Sequence, residues 1–166
     1  MIKGSIKEKK ILVIGGAGFI GSHFVDRLFV DGAACVTVFD NLSSGRIHWI
    51  DKHEGNSKLK FIQGDLINQD SVEEAVQGQD IILYVGGNSD IQAGAKDTTI
   101  HLNNNVYGIH NLLEAMRKYD VSEILFTSSS TVYGELENKS ENAGPLLPIS
   151  LCNVSLCQDT KSNFLR

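Results

Sequence analysis

Near its start the chain runs Ile11-Leu12-Val13-Ile14-Gly15-Gly16-Ala17-Gly18-Phe19-Ile20-Gly21. An apolar, β-branched run from Lys10 to Ile14 meets glycines at Gly15, Gly18 and Gly21. Apolar residues then recur at helical spacing, at Phe19, Ile20, Phe24, Val25, Leu28 and Phe29. A strand, turn and helix in this order set a helix N-terminus beside the end of a strand. Its unpartnered N–H groups and partial positive charge make a site for a pyrophosphate. Gly15 serves the tight turn, Gly18 the approach of the phosphates to the backbone, and Gly21 the close packing of helix on strand.

The next strand, Cys35-Val36-Thr37-Val38-Phe39, ends in Asp40, about 20 residues further on as a dinucleotide-binding unit requires. A carboxylate there accepts hydrogen bonds from both adenosine ribose hydroxyls and repels a 2′-phosphate, so NAD is expected rather than NADP. The competing reading is a flavodoxin-like fold in which the glycine turn is incidental and Asp40 is a turn residue.

At 166 residues the chain fits one domain with a real core. Its 42% hydrophobic and 21% charged content is ordinary for a globular protein. The net charge of −5 argues against nucleic acid or an anionic membrane as a partner. No apolar run reaches spanning length, and residues 1–9 carry positive charge without the apolar stretch of a signal peptide. They are expected to form a short solvated extension, and the chain to be cytoplasmic. Cys35, Cys152 and Cys157 make no disulfide framework, and Cys35 opens a strand in which it serves as a small apolar residue. His23, His48, His53, His101 and His110 lack paired ligand spacing, so no metal site is expected.

Strand and helix signals alternate. Strands are predicted near 10–14, 35–39, 59–63, 80–85 and 123–128, and helices near 18–31, 69–77, 98–118 and 150–163. Ser71 with Glu74 reads as a capping box, with Gly78 as the stop. Leu102, Val106, Ile109, Leu113 and Met116 are expected on one helical face, either in the core or at a subunit interface. Residues 41–58 read as one long irregular surface loop. This alternation predicts a doubly wound α/β domain, five parallel strands with helices on both faces, spanning residues 10–151. In such a sheet the ligand lies outside the carboxyl ends of the strands. The residues falling there are small or polar: Asp40 to Gly45, Gly64 to Leu66, Gly86 to Ser89, and Thr127 to Ser130.

These segments together resemble the NAD-dependent epimerase/dehydratase family of extended short-chain dehydrogenases, and most closely its UDP-glucose 4-epimerase branch. The matching motifs are Gly15 to His23, Phe39 to Gly45, Gly64 to Leu66, Asn104 to Gly108 and Thr127 to Gly134, with Pro145 to Ser150 resembling the approach to the family's catalytic tyrosine. The resemblance implies a Rossmann fold and assigns roles by position. Gly15, Gly18, Phe19, Ile20 and Gly21 would hold the pyrophosphate. Asp40, Asn41, Ser43, Ser44 and Gly45 would surround the adenosine ribose, with Asp65 and Leu66 flanking the adenine. Val85, Gly86, Gly87, Asn88 and Ser89 would line the middle of the cofactor, although the family more often carries His-Leu-Ala-Ala where this chain has Tyr84-Val85-Gly86-Gly87. Asn104 or Asn105 would support the nicotinamide side, and Ser129 would bond the sugar hydroxyl being oxidised.

The resemblance breaks at the family's Tyr-x-x-x-Lys pair. That spacing puts both side chains on one helix face, where the lysine lowers the tyrosine's pKa so that it serves as base toward the sugar 4-hydroxyl. Here the two positions hold Cys152 and Leu156, a shorter thiol with no cation to activate it. Loss of a general base typically costs 10²–10⁴-fold in rate. Residues 152–166 lose the family's character, and the smaller lobe that binds the nucleotide sugar does not follow. The expectation is therefore a C-terminally truncated or frame-shifted chain. Two readings compete: an epimerase acting on a UDP-sugar, in a homodimer, with impaired catalysis; or a catalytically inactive NAD-binding module. A nucleotide-sugar 4,6-dehydratase is disfavoured, because those enzymes carry Thr-Asp-Glu where this chain has Ser129-Ser130-Thr131.

Overall fold

The computed structural model describes residues 6–88, 90–128 and 151–153. Strand β1 (Lys10–Ile14) leads through the glycine turn into helix α1 (Phe19–Val30) and strand β2 (Cys35–Asp40). There follow β3 (Leu59–Gln63), α2 (Gln69–Val76), β4 (Ile81–Tyr84), α3 (Ile91–Lys96), α4 (Thr99–His101), a π-helical segment (Leu102–Tyr107), α5 (Gly108–Lys118) and β5 (Glu123–Thr127). These five strands pair in parallel in the order β3-β2-β1-β4-β5, which is the doubly wound order with its reversal between β1 and β4.

The expected parallel sheet and its flanking helices are present, and the sequence shows why. β1 is buried on both faces and reads as an unbroken apolar run rather than an alternation. Leu12, Ile14, Ile82 and Tyr84 face one core with Val72, Ala75, Leu112, Ala115 and Met116 of α2 and α5. Ile11, Val13, Val36, Val38, Ile81 and Leu83 face the other, against Val25 and Leu28 of α1.

Several expectations need correction. The segment near 150–163, expected to begin a helix, instead places Leu151–Asn153 as a short strand β6, antiparallel to β5. A strand at the sheet's edge leaves N–H and C=O groups unpaired, and any short extended segment can satisfy them. The rest of that predicted helix, with Leu156 and Cys157, lies outside the described residues, as do Ser89 and Ser129.

The cap of α2 is Asn68 rather than Ser71. Its side chain accepts from Ser71 N at 3.2 Å, and the helix begins three residues earlier than the Ser71–Glu74 box implies. Gly78 does follow the helix, at φ +76°. Residues 41–58 are not featureless. They form two 3₁₀ turns, Ile47–Trp49 and Asp51–His53, around a buried Ile50, and Asp26 of α1 binds both Lys52 and His53. Burial raises the Asp26 carboxyl, but the bonds from Lys52 and His53 outweigh it and hold the group below the usual carboxylate range.

The extension is docked at its end. Ile6 packs on the core beside α1, and Glu8 N donates to Gly32 O at 2.9 Å. Cys35 is half-buried. Helix α3 has no clear signal in the sequence, being six residues long with a glycine inside it. The apolar stripe of 98–118 does not lie on one buried face. Ile109 and Met116 join the core, whereas Leu102, Val106 and Leu113 are exposed.

Candidate cofactor-binding site

Gly15 takes φ +77°, and a Cβ there would sit 2.7 Å from Gly86 Cα, so the turn between β1 and α1 tolerates no side chain. A Cβ on Gly21 would fall 2.1 Å from Gly15 O, which is the close packing expected of it. Gly18 caps α1. No side chain bonds this cap, and no acidic residue occupies the first turn. The first intrahelical bond runs from Ser22 N to Gly18 O, so the N–H groups of Phe19 and Ile20 lie ahead of the helical ladder. An uncapped, acid-free helix start is the donor set that an anion requires.

Over this turn opens a cleft of about 300 Å³ at the carboxyl ends of β1, β2, β3 and β4. Gly15 and Gly18 form its floor, with Ile14 and Phe39. On one side stand Asp40, Asn41, Ser43 and Ser44, and beside them Gly64, Asp65 and Leu66. On the other are Val85, Gly86, Gly87 and Asn88, with Asp90 and Asn104. Of the residues expected here, Phe19, Ile20, Gly21, Gly45 and Asn105 do not line the cleft. Phe19 and Ile20 offer backbone N–H groups while their side chains face solvent, 67% and 60% exposed. Gly45 lies behind Asp40, where a Cβ would come within 2.7 Å of Asp40 Oδ1. Asp90 lines the cleft in addition to the residues expected from the sequence. It is the N-cap of α3, its carboxylate accepting from Ala93 N at 2.9 Å, and an aspartate opening the segment after β4 is the signal that could have found it.

Each wall is fixed by a side chain bonded to backbone. Asp40, only 8% exposed, accepts from Ala17 N at 3.0 Å through Oδ2 and from Leu42 N at 2.8 Å through Oδ1. It thereby joins the phosphate turn to the loop after β2, and each oxygen keeps a second lone pair for a ribose hydroxyl. Asn41 Nδ2 donates to Asp65 Oδ2 at 3.0 Å, tying the loops after β2 and β3. Asn111 Nδ2, on α5, donates to Leu66 O at 2.9 Å. Asn104 Nδ2 donates to Ile100 O at 2.8 Å, while Asn105 bonds the backbone of Asn88. Among the described residues no group of three His, Cys, Asp or Glu could hold a metal, and no helix is long and apolar enough to cross a membrane.

A doubly wound sheet, a glycine turn at an uncapped helix start and an acid at the end of the second strand define a dinucleotide-binding domain. Comparison with known proteins makes this specific. The model of the NAD dependent epimerase/dehydratase family matches residues 11–155, and the chain belongs to that family. NAD is the family's cofactor, as Asp40 led us to expect. The chain is 37% identical over 142 residues to the bifunctional UDP-glucose 4-epimerase and UDP-xylose 4-epimerase 3 of Arabidopsis thaliana, covering 81% of this chain and 40% of that one. The UDP-glucose 4-epimerase of Thermus thermophilus in complex with NAD superposes with TM-score 0.71 at 30% identity, over 89% of this chain and 46% of that one. A dTDP-glucose 4,6-dehydratase from Streptomyces venezuelae with NAD bound superposes with TM-score 0.73 at 28% identity, over 79% and 42%. The chain thus spans about two fifths of the length of the curated relative.

Proposed function

We propose that this chain binds NAD as the cofactor half of a nucleotide-sugar 4-epimerase. The observation that carries the proposal is the cleft itself, in which bare N–H groups at the start of α1 lie beside a carboxylate at the end of β2 that is bonded to the same glycine turn. Bound NAD supplies a hydride acceptor. The chain's own residues position it. The N–H groups of Phe19 and Ile20 take the pyrophosphate, with Gly15 and Gly18 keeping the surface clear and Gly21 seating the helix. Asp40, with Asn41, Ser43, Ser44 and Gly45, holds the adenosine ribose, and Asp65 with Leu66 borders the adenine. Val85 to Asn88 flank the middle of the cofactor, and Asn104 borders its nicotinamide end. Ser129 is assigned the bond to the sugar hydroxyl, and a UDP-sugar is the proposed substrate class, supported by the names of the relatives. The exposed Leu102, Val106 and Leu113 favour a homodimer through this part of the chain.

The second reading, an NAD-binding module without catalysis, is favoured by Cys152 and Leu156 in place of the tyrosine and lysine. Calorimetric titration with NAD and NADP, followed by a UDP-glucose epimerase assay, separates the two. Binding of NAD at least tenfold tighter than NADP is expected. Turnover some 10²–10⁴-fold below an epimerase that carries the Tyr-x-x-x-Lys pair is also expected, from the missing base. Equal affinity for both coenzymes, or none for either, overturns the proposal.

A further inference from the structure

Asn105 stands behind the loop that follows β4. Its Oδ1 accepts from Asn88 N at 2.8 Å and its Nδ2 donates to Asn88 O at 2.8 Å. The amide thus pairs with both backbone groups of one residue, much as a neighbouring strand would. One N–H of Nδ2 remains, and it meets His101 Nδ1 at 3.2 Å. An amide nitrogen only donates, so Nδ1 accepts and the ring proton sits on Nε2. The imidazole is confined from its other side by α3. A methyl group on Gly94 would fall 2.0 Å from both Cδ2 and Nε2 of the ring. The ring is therefore wedged between α3 and the π-helical segment, with its acceptor nitrogen turned toward Asn105.

We infer that His101 is a positioning residue of the cofactor cleft. It fixes the orientation of Asn105, which holds the Asn88 backbone in the cleft wall. Asn88 lines the cleft directly, whereas His101 and Asn105 do not. What the wall holds rests on the NAD-binding reading; the relay from Gly94 through His101 and Asn105 to Asn88 rests on geometry alone.

Two substitutions of matched shape test the acceptor. In His101→Asn the Oδ1 atom stands two bonds from Cβ, as Nδ1 does, and still accepts. His101→Leu fills similar space with no acceptor. Amide hydrogen exchange at Asn88, followed by NMR on the full chain, reads the clamp without any ligand. Exchange in H101L should be roughly three- to tenfold faster than in the wild type, the size of one lost hydrogen bond, with H101N within about twofold of it. NAD affinity should fall by a similar factor in H101L and be restored in H101N. Gly94→Ala, which pushes the ring aside, should move both readouts in the direction of H101L. Equal Asn88 exchange in H101L and the wild type, or H101N as fast as H101L, overturns the inference. If the wild-type chain fails to bind NAD, the functional reading falls while the exchange comparison still decides the relay.

Discussion

Asp40 receives two backbone N–H groups and lines the cleft, so its carboxylate serves structure as well as the recognition we propose for it. Asp40→Ala leaves the N–H of Ala17 buried without its acceptor and should lower stability by about 1–3 kcal/mol in denaturant titration. It should also narrow the preference for NAD over NADP, because the charge opposing a 2′-phosphate is gone. Tyr84 poses the opposite problem. Its ring is 1% exposed and stacked on Phe126 at 4.9 Å, and its hydroxyl has no hydrogen-bond partner among the described residues. Burial pushes the phenol up from 10.0 to about 12. A raised folded-state pKa means that stability is full below pH 10 and declines as pH rises through 12. Tyr84→Phe should match or exceed wild-type stability at pH 7 and lose less than the wild type between pH 10 and pH 12, measured by denaturant unfolding across that range. The sequence marks Tyr84 as a departure from its family, but only packing shows that its hydroxyl is buried without a partner among the described residues.

The π-helical segment explains why a regular apolar stripe in the sequence does not form one buried face. Spacings of three and four residues assume one continuous α-helix, whereas a π-turn slips the register as an inserted residue does. Residues before and after Leu102–Tyr107 thus point in directions an α-helix would not give. Leu112, Ala115 and Met116 reach the core, while Leu102 and Val106 turn outward and Asn104 turns to the cleft. Deleting the exposed Val106 should restore α-helical register, rotating Asn104 off the cleft wall and Asn105 away from the Asn88 backbone. We expect NAD affinity to fall at least tenfold while circular dichroism keeps its helical signal. The cap of α2 differs from the sequence expectation for a related reason. Asn68 and Ser71 are both capping residues by type, and only the course of the loop after β3 decides which of them the helix uses.

For the molecule as a whole, cofactor binding and folding are linked, because the cleft walls come from four strand ends that are assembled only in the folded state. NAD at a hundred times its dissociation constant should stabilise the chain by about 2.7 kcal/mol, read as a raised unfolding midpoint in a thermal melt. The same concentration of NADP should raise the midpoint less. The order of residues alone determined the sheet, because a strand buried on both faces must be an apolar run, and the glycine turn, because only glycine allows the backbone approaches seen at Gly15 and Gly21. It also placed Asp40, since a strand end followed by an acid is a local pattern. Folding alone decided what depends on neighbours distant along the chain: the clamp of Asn105 on Asn88, 17 residues apart, the bond of Asn111 to Leu66, 45 apart, and the pairing of Leu151–Asn153 with β5. Side-chain amides that bond to backbone leave no periodic trace in a sequence, because their partners are peptide groups that every residue carries.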